Sequence, residues 1–408
     1  VVVGGVRRSA MISLSNLSDD RMRHAKSGSW WENDPQRALA NNSVSYTEKP
    51  DAISFMREWM ALVESGSGER GIFNREASKK QAAKYGRRNP DHEFGTNPCS
   101  EIILRPYQFC NLTEVVVRAT DSVEDLARKV RCATILGTIQ STFTRFPYLR
   151  KVWQRNTEEE RLLGVSLTGI MDNKLMTTQN EGLEKTLEHL RNIAVSTNME
   201  WSKRLGIEPS TSITCVKPSG TVSQLVDSAS GIHARHSKYY IRTVRGDNKD
   251  PLTQFMKDQG IPNEPDVMKP DATTVFSFPV KSPDGAIVTK DLTAIQQLET
   301  WLIYQRHWCE HKPSITVNVQ KDEWFEVGAF VYKHFDEMSG VSFLPYNEHT
   351  YQQAPYQEVG QTDYDMLLSL MPEKIDWTKL SEYEQEDNTV GMQTMACSGD
   401  VCEIVDLT

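Results

Sequence analysis

Apolar residues recur at three- and four-residue intervals in several stretches of the chain, and each such stretch predicts a helix with one buried face. Ala52, Phe55, Met56, Trp59, Met60 and Val63 mark the first. Ser122 opens the second, with Asp125 three residues on as a capping-box pair. That helix is predicted to run to about Phe146, with Leu126, Val130, Ala133, Leu136 and Ile139 on its inner face and Cys132 in the core. Leu183 to Leu205 gives a long amphipathic helix stopped by Gly206. Shorter helices are predicted over Val222 to Asp227, Leu292 to Cys309 and Glu323 to Met338. Between them lie runs of strand length: Ala10 to Leu17, Leu112 to Val117, Gly164 to Gly169, Thr211 to Val216, Ile315 to Val319 and Val341 to Leu344. The glycine-rich, basic stretch from Gly66 to Gly95 reads as loop. Strands alternating with helices of this length predict an α/β architecture with a largely parallel sheet. After Tyr346 the alternation fades.

Composition narrows the picture a little. The 408 residues are 38% hydrophobic and 25% charged, as in an ordinary globular protein. No apolar run approaches bilayer length, so no membrane role is expected. The chain opens on the strand-like run Val1-Val2-Val3, without a methionine or a secretory signal. We therefore expect it to start inside a domain and to be the C-terminal part of something longer. Net charge is −9, but 13 acidic and 2 basic residues fall in 346–408, leaving the body near neutral. A near-neutral body argues against nucleic acid as a partner, and an acidic end reads as a solvated tail. Seven cysteines without a secretory signal point to a reducing compartment, the cytoplasm.

Three stretches could carry chemistry. Asn97-Pro98-Cys99-Ser100-Glu101 sets an amide, a thiol and a carboxylate within five residues, with Cys110 further on. On extended chain Asn97, Cys99 and Glu101 would face one side and address one substrate. Alone, the stretch equally fits a structural cysteine beside a surface glutamate. Pro218-Ser219-Gly220-Thr221 lies between a predicted strand and a predicted helix, where free amide groups and the helix dipole can hold a phosphate. It also fits an ordinary N-capped helix, and it is not a Walker loop. Arg235, Lys238, Arg242 and Arg245 could assist a phosphate or form a solvated face. Cys397 and Cys402 lie five residues apart near the chain end, where a dithiol could shuttle between a site and a reductant. Half a zinc site is the alternative, but no further His or Cys lies close enough in sequence to complete it. His233 and His236 receive no ligand role, no metal is assigned, and Tyr239-Tyr240 reads as a packed pair.

Taken together and in this order, these motifs resemble the catalytic half of a ribonucleotide reductase. The short Cys99–Cys110 interval and the opening Gly4-Gly5-Val6-Arg7-Arg8-Ser9-Ala10 are similar to the adenosylcobalamin-dependent class II enzymes. The five-residue step between the tail cysteines resembles their ribonucleoside-triphosphate reductases. Gly340 to Pro345 and Tyr351 to Tyr356 agree. The resemblance implies part of a ten-stranded α/β barrel with a central finger loop. It implies Cys99 as the thiyl radical that takes the 3′ hydrogen of the ribose, Glu101 as acceptor of the 3′-hydroxyl proton and Asn97 as a sugar ligand. Cys110 would be one of two reducing thiols, Pro218 to Thr221 would hold the substrate phosphates, and Cys397 and Cys402 would relay electrons from thioredoxin or a similar dithiol protein. Adenosylcobalamin is the implied cofactor, a ribonucleoside triphosphate the substrate, and a dNTP or ATP the effector, bound mostly upstream. The partner of Cys110 is also expected upstream, because Cys132, Cys215 and Cys309 lie in no matching motif.

The implied layout is a catalytic barrel portion over 1–345, an extension over 346–390 and a redox tail over 391–408. Two other readings stand beside it. One is the large chain of a class I reductase with a metal-radical partner subunit. The short Cys99–Cys110 interval disfavours it, as does the early placing of Tyr239-Tyr240. The other is a non-catalytic nucleotide-binding or redox protein.

Overall fold

The computed structural model describes residues 11–34, 36–37, 40–346 and 352–384, and the backbone of 394–398 and 401–405. The opening motif of residues 1–10 and Tyr351 of the Tyr351–Tyr356 motif lie outside these. The chain divides into two compact units, the described residues of Ser9–Arg235 with Asp284–Tyr346, and those of His236–Pro283 with Asn347–Thr408.

Strands are numbered along the chain. The first unit carries β1 (Met11–Ser15), β2 (Ala40–Tyr46), β3 (Gly71–Asn74), β4 (Gly95–Thr96), β5 (Ile103–Leu104), β6 (Asn111–Val116) and β7 (Leu163–Thr168). The second carries β8 (Tyr239–Asp247), β9 (Asn263–Pro265) and β10 (Thr273–Lys281). The first resumes with β11 (Thr316–Val319) and β12 (Gly340–Pro345). The second ends with β13 (Tyr356–Glu358), β14 (Thr394–Ser398) and β15 (Val401–Val405).

In the first unit the strands run in the order β1-β2-β3-β12-β11. Single-residue parallel bridges continue the row, Val216 with Pro313 and Thr214 with Val165 of β7, and β7 pairs in parallel along its whole length with β6. β3 and β12 are antiparallel, whereas the pairs on either side of them are parallel. Two parallel arrays thus meet at one antiparallel seam. The predicted strand over Thr211 to Val216 forms no named strand but is tied by backbone hydrogen bonds to Leu163 and Val165 on one side and to Lys312 and Ser314 on the other.

The parallel arrays are covered by helices, as parallel strands require. Leu183–Leu205 forms as predicted and ends on Gly206 at φ +67°. The capping box of Ser122 and Asp125 is present, but its helix stops at Gln140. Phe146 precedes Pro147 and is disfavoured in a helix. The buried line of this helix runs through Leu126, Val130, Ala133, Thr134, Gly137 and Thr138. Leu136 is 63% exposed, Ile139 is exposed, and Cys132 is exposed rather than in the core. Apolar counting missed this line because Thr134 and Thr138 bury their hydroxyls on helix carbonyls at 2.8 and 2.7 Å. In Ala52–Ser65 the buried side chains are Phe55, Glu58 and Leu62, whereas Met56 and Met60 face outward. The predicted loop from Gly66 to Gly95 holds β3 and the helix Arg75–Ala83, capped by Asn74.

The helix Ala294–His307 and its C-cap Trp308 anchor the floor of the site. Trp301, Tyr304 and Trp308 are fully buried. A buried indole removes about 150–250 Å² from water, worth about 4–6 kcal/mol at about 25 cal/mol per Å². Their polar atoms aim the packing: Trp301 Nε1 donates to Pro313 O and Trp308 Nε1 to Cys215 O, both at 2.8 Å. Among the described residues no helix is long and apolar enough to cross a membrane.

The second unit departs from the predicted parallel pattern. Its sheet, β13-β8-β10-β9, is antiparallel throughout. Tyr239 and Tyr240 sit on β8 and pack against Tyr364 and Tyr356. Arg245 pairs with Asp266 at 2.6 Å, and the Arg242 guanidinium lies 4.5 Å over the Tyr356 ring.

Candidate active site

β4 and β5 form a two-residue antiparallel pair, Gly95 opposite Leu104 and Thr96 opposite Ile103. Residues 97–102 are the tip of this hairpin, a finger loop. Asn97 to Glu101 are therefore not extended chain, and the expected one-sided alternation does not hold. Ser100 takes φ +63°, the left-handed region, which curls the tip. Asn97 closes it: its Oδ1 accepts the Ile102 N–H at 3.0 Å, and its carbonyl accepts the Ser100 N–H at 2.9 Å. Thr96 Oγ1 donates to Ile102 O at 2.8 Å.

The segment 311–314 grips the finger along its length. His311 Nδ1 accepts the Ile103 N–H at 3.3 Å, and its Nε2 donates to Leu163 O at 2.9 Å. Burial drives this imidazole well below its usual range, consistent with the neutral form that pairing needs. Lys312 N–H donates to Glu101 O at 3.1 Å, and Lys312 Nζ to Ser100 Oγ at 2.9 Å. Ser314 Oγ donates to Cys99 O at 2.6 Å. From the other side Asn41 Nδ2 donates to Pro98 O at 2.6 Å. Gly340 makes room at the start of β12, because a Cβ there would fall 2.5 Å from Ser100 Oγ.

Arg88 braces the base of the finger. It is almost fully buried, donates to Ile103 O at 2.9 Å, and holds Glu160 through two bonds at 2.9 and 3.1 Å. Burial pushes the Glu160 carboxyl up, but Arg88 pulls it below its ordinary value.

The chemistry-bearing groups gather around this tip. Cys99 is half-buried. Glu101 is 0% exposed, and neither carboxylate oxygen has a hydrogen-bond partner among the described residues. Cys110 precedes β6 and turns its sulfur toward β7, 3.3 Å from where a Cβ on Gly164 would lie. Burial, and next the Glu101 charge, push the Cys110 thiol up. Glu114 on β6 is also raised by burial, with Glu101 adding to it. Cys215, fully buried, is raised well above the usual thiol range by burial, then by Glu101 and Cys110. Glu101, Cys110, Glu114 and Cys215 thus share one electrostatic neighbourhood, and Lys312 joins it through Glu101: burial pushes its ammonium down to about 7 while Glu101 pulls it up.

The Pro218–Thr221 turn adjoins the same floor. Ser219 takes the N-terminal flanking position of the helix Gly220–Leu225, which is only six residues long. Ser219 Oγ does not cap the helix but donates to Glu114 Oε2 at 2.8 Å. Gly220 and Thr221 are exposed at its start. Arg235, one of the basic residues offered for a phosphate, instead binds Asp172 through bonds at 2.9 and 3.0 Å and Asp227 at 2.8 Å. β14 and β15 pair in antiparallel register with Cys397 opposite Cys402. The side chains of both lie outside the described residues.

The structure brings together Asn97, Cys99, Glu101 and Cys110, with Ser219 linked through Glu114. Sequence reasoning missed Glu114, Lys312 and Ser314. A glutamate on a strand, or a lysine beside a histidine and a proline, carries no sign of burial in the sequence.

No family model matches the chain. Individual proteins do. The adenosylcobalamin-dependent ribonucleoside-triphosphate reductase of Lacticaseibacillus paracasei is 28% identical over 443 aligned positions, covering 99% of this chain and 57% of that protein. The protein of the same name from Euglena gracilis is 27% identical, covering 98% and 54%. The chain spans a little over half the length of these relatives. A solved B12-dependent class II ribonucleotide reductase superposes with a TM-score of 0.78 over 92% of this chain and 55% of its own, at 23% identity. The alpha subunit of the Actinobacillus ureae class Id reductase gives 0.55 over 82% and 70%, at 12% identity. These likenesses show the α/β fold of ribonucleotide reductases.

Proposed function

We propose that this chain is the C-terminal catalytic portion of an adenosylcobalamin-dependent ribonucleoside-triphosphate reductase. The observation that carries the reading is the hairpin tip, where a half-buried thiol sits two residues from a fully buried carboxylate that has no hydrogen-bond partner among the described residues. Desolvating a carboxylate without a donor is costly, and a ribose hydroxyl placed there would supply one. The near full-length similarity to reductases of that name supports the same reading.

Cys99 is then the radical thiol. Its partial exposure suits a reactant arriving from outside the loop, so the residues present fit the cofactor's approach. Adenosylcobalamin, when bound, supplies a carbon radical that can take the thiol hydrogen. The Cys99 sulfur radical takes the hydrogen from C3′, and Glu101 accepts the proton of the 3′ hydroxyl. The 2′ hydroxyl leaves as water, Cys110 and a second thiol are oxidised to a disulfide, and Cys99 returns its hydrogen to C3′. The balance is one ribonucleoside triphosphate and one dithiol giving one deoxyribonucleoside triphosphate, one water and one disulfide. Asn97, with Oδ1 engaged by Ile102, presents its N–H donors to the sugar. The packed, buried surround of Glu101 keeps water from the reacting groups.

Pro218 to Thr221 hold the triphosphate chiefly at the exposed Thr221, since the Ser219 hydroxyl is engaged with Glu114 and the Gly220 N–H with Pro218 O at 3.0 Å. Cys397 and Cys402, opposite one another in the β14–β15 register, re-reduce the site and take electrons from thioredoxin or a similar dithiol protein. Residues 1–345 would hold the catalytic portion, 346–390 an extension and 391–408 the redox tail. Effector nucleotides bind mostly upstream, and the cytoplasm is the compartment.

The test is reduction of a ribonucleoside triphosphate by the complete protein with a dithiol, with and without adenosylcobalamin. Turnover only with the cofactor is expected. Turnover that needs a metal-radical subunit instead would move the protein to class I, and none under either condition would favour a nucleotide-binding role.

A further inference from the structure

Lys312 stands out among buried groups that the proposed reaction does not use. Its side chain is 0% exposed. Nζ lies 2.9 Å from Ser100 Oγ, 3.4 Å from Thr96 Oγ1 and 3.4 Å from Ser339 O, and 4.6 Å from the centre of the Phe73 ring. Each is a neutral group. Buried lysines are rare unless paired, yet this one is wrapped by the finger, β3 and the start of β12. Its backbone reaches the same loop through Glu101 O. The mirror-image oddity is Glu101, buried and without a hydrogen-bond partner among the described residues. The titratable groups facing this pair are few. Glu101 and His311 influence or adjoin Lys312, and Cys110, Cys215 and Glu114 surround Glu101. Two other cations act nearby, but Arg88 is bound to Glu160 and acts on Cys110 and His311, and Lys217 acts on Glu114, so Lys312 is the cation whose interaction is with Glu101 itself.

We propose that Lys312 is a positioning residue of the finger loop: its ammonium holds the tip through Ser100 and is the internal counter-charge of Glu101. It touches neither thiol nor substrate and acts through the two residues that follow Cys99. This rests on the catalytic reading of the loop, but the charge balance can be tested without turnover. The Lys312 ammonium so placed offsets the charge of the carboxylate that the proposed reaction uses as proton acceptor. Burial drives the lysine down to about 7, so the pairing is present below neutrality and fades in base.

The test is a double-mutant cycle in the complete protein, read as the urea midpoint of unfolding at about pH 6 and about pH 9. At the lower pH, Lys312→Met is expected to lower the midpoint more in the parent than in the Glu101→Gln background. At the higher pH the difference should shrink. The Ser100 hydrogen bond is lost in both backgrounds and cancels. An equal shift in both backgrounds at both pH values would make Lys312 a packing residue only and overturn the proposal. If Lys312→Met folds only alongside Glu101→Gln, the pairing is supported directly. If neither folds, Lys312→Arg, which keeps the charge, should restore folding, and its failure would overturn the proposal. Absence of turnover in the parent would refute the reductase reading and leave this cycle readable.

Discussion

At the scale of single residues, the site depends on what lies behind it. Gly340 faces Ser100 across a gap with no room for a methyl group, since its Cβ would sit 2.5 Å from Oγ and 3.1 Å from Lys312 Nζ. Gly340→Ala should cost about 1–3 kcal/mol as an overpacking change, and displace the tip enough to lose turnover while substrate still binds. Urea unfolding and a binding measurement together check this. Lys312 also gives a pH dependence with a definite sign. Its folded value near 7 lies below the ordinary 10.5, so between those values the unfolded chain binds the extra proton. Stability from this group therefore rises as pH increases from about 7 toward 10.5. Lys312→Met should remove that rise, measured as unfolding free energy against pH; an unchanged slope would contradict the assignment. Cys99, Glu101, Asn97 and Cys110 were legible in the sequence because their spacing forms a motif. Lys312, Glu114 and Ser314 were not, because their significance is burial and contact, which arise only when segments 105 to 215 residues apart meet.

At the scale of elements, the finger is only two paired residues per strand, too short to stand without support. Arg88 provides part of it by joining Ile103 O to Glu160 in a nearly dry setting. Arg88→Met should leave the buried Glu160 without its ion-pair partner and with Gln108 still donating to it, at a cost of about 3–5 kcal/mol. A denaturation midpoint close to the parent would show that the pair is dispensable. Helix periodicity was the readable signal here: Leu183–Leu205 matches its prediction to the residue. β2 was invisible because Ala-Asn-Asn-Ser-Val-Ser-Tyr buries asparagine and serine, not alternating apolar side chains. β3 was hidden by glycine-rich, basic surroundings in sequence, although all four of its residues are buried.

At the scale of the whole molecule, the first unit matches the α/β pattern that alternating strands and helices predict. The segment His236–Pro283 groups with residues after 346, not with its sequence neighbours, and its sheet is antiparallel. Nothing in hydrophobic periodicity marks such an excursion, because each strand of β8 and β10 reads as a lone mixed run. The antiparallel seam between β3 and β12, by contrast, is a tertiary pairing of segments over 260 residues apart, beyond any local signal. The chain spans a little over half of its relatives, so the decisive measurement belongs to the complete protein. Deoxyribonucleoside triphosphate formed from a ribonucleoside triphosphate, dithiol and adenosylcobalamin should be compared for the parent and Cys99→Ala. The parent should form product, and the variant should bind substrate and form none. Product from Cys99→Ala at the parent rate would contradict the assignment of the finger thiol as the radical site.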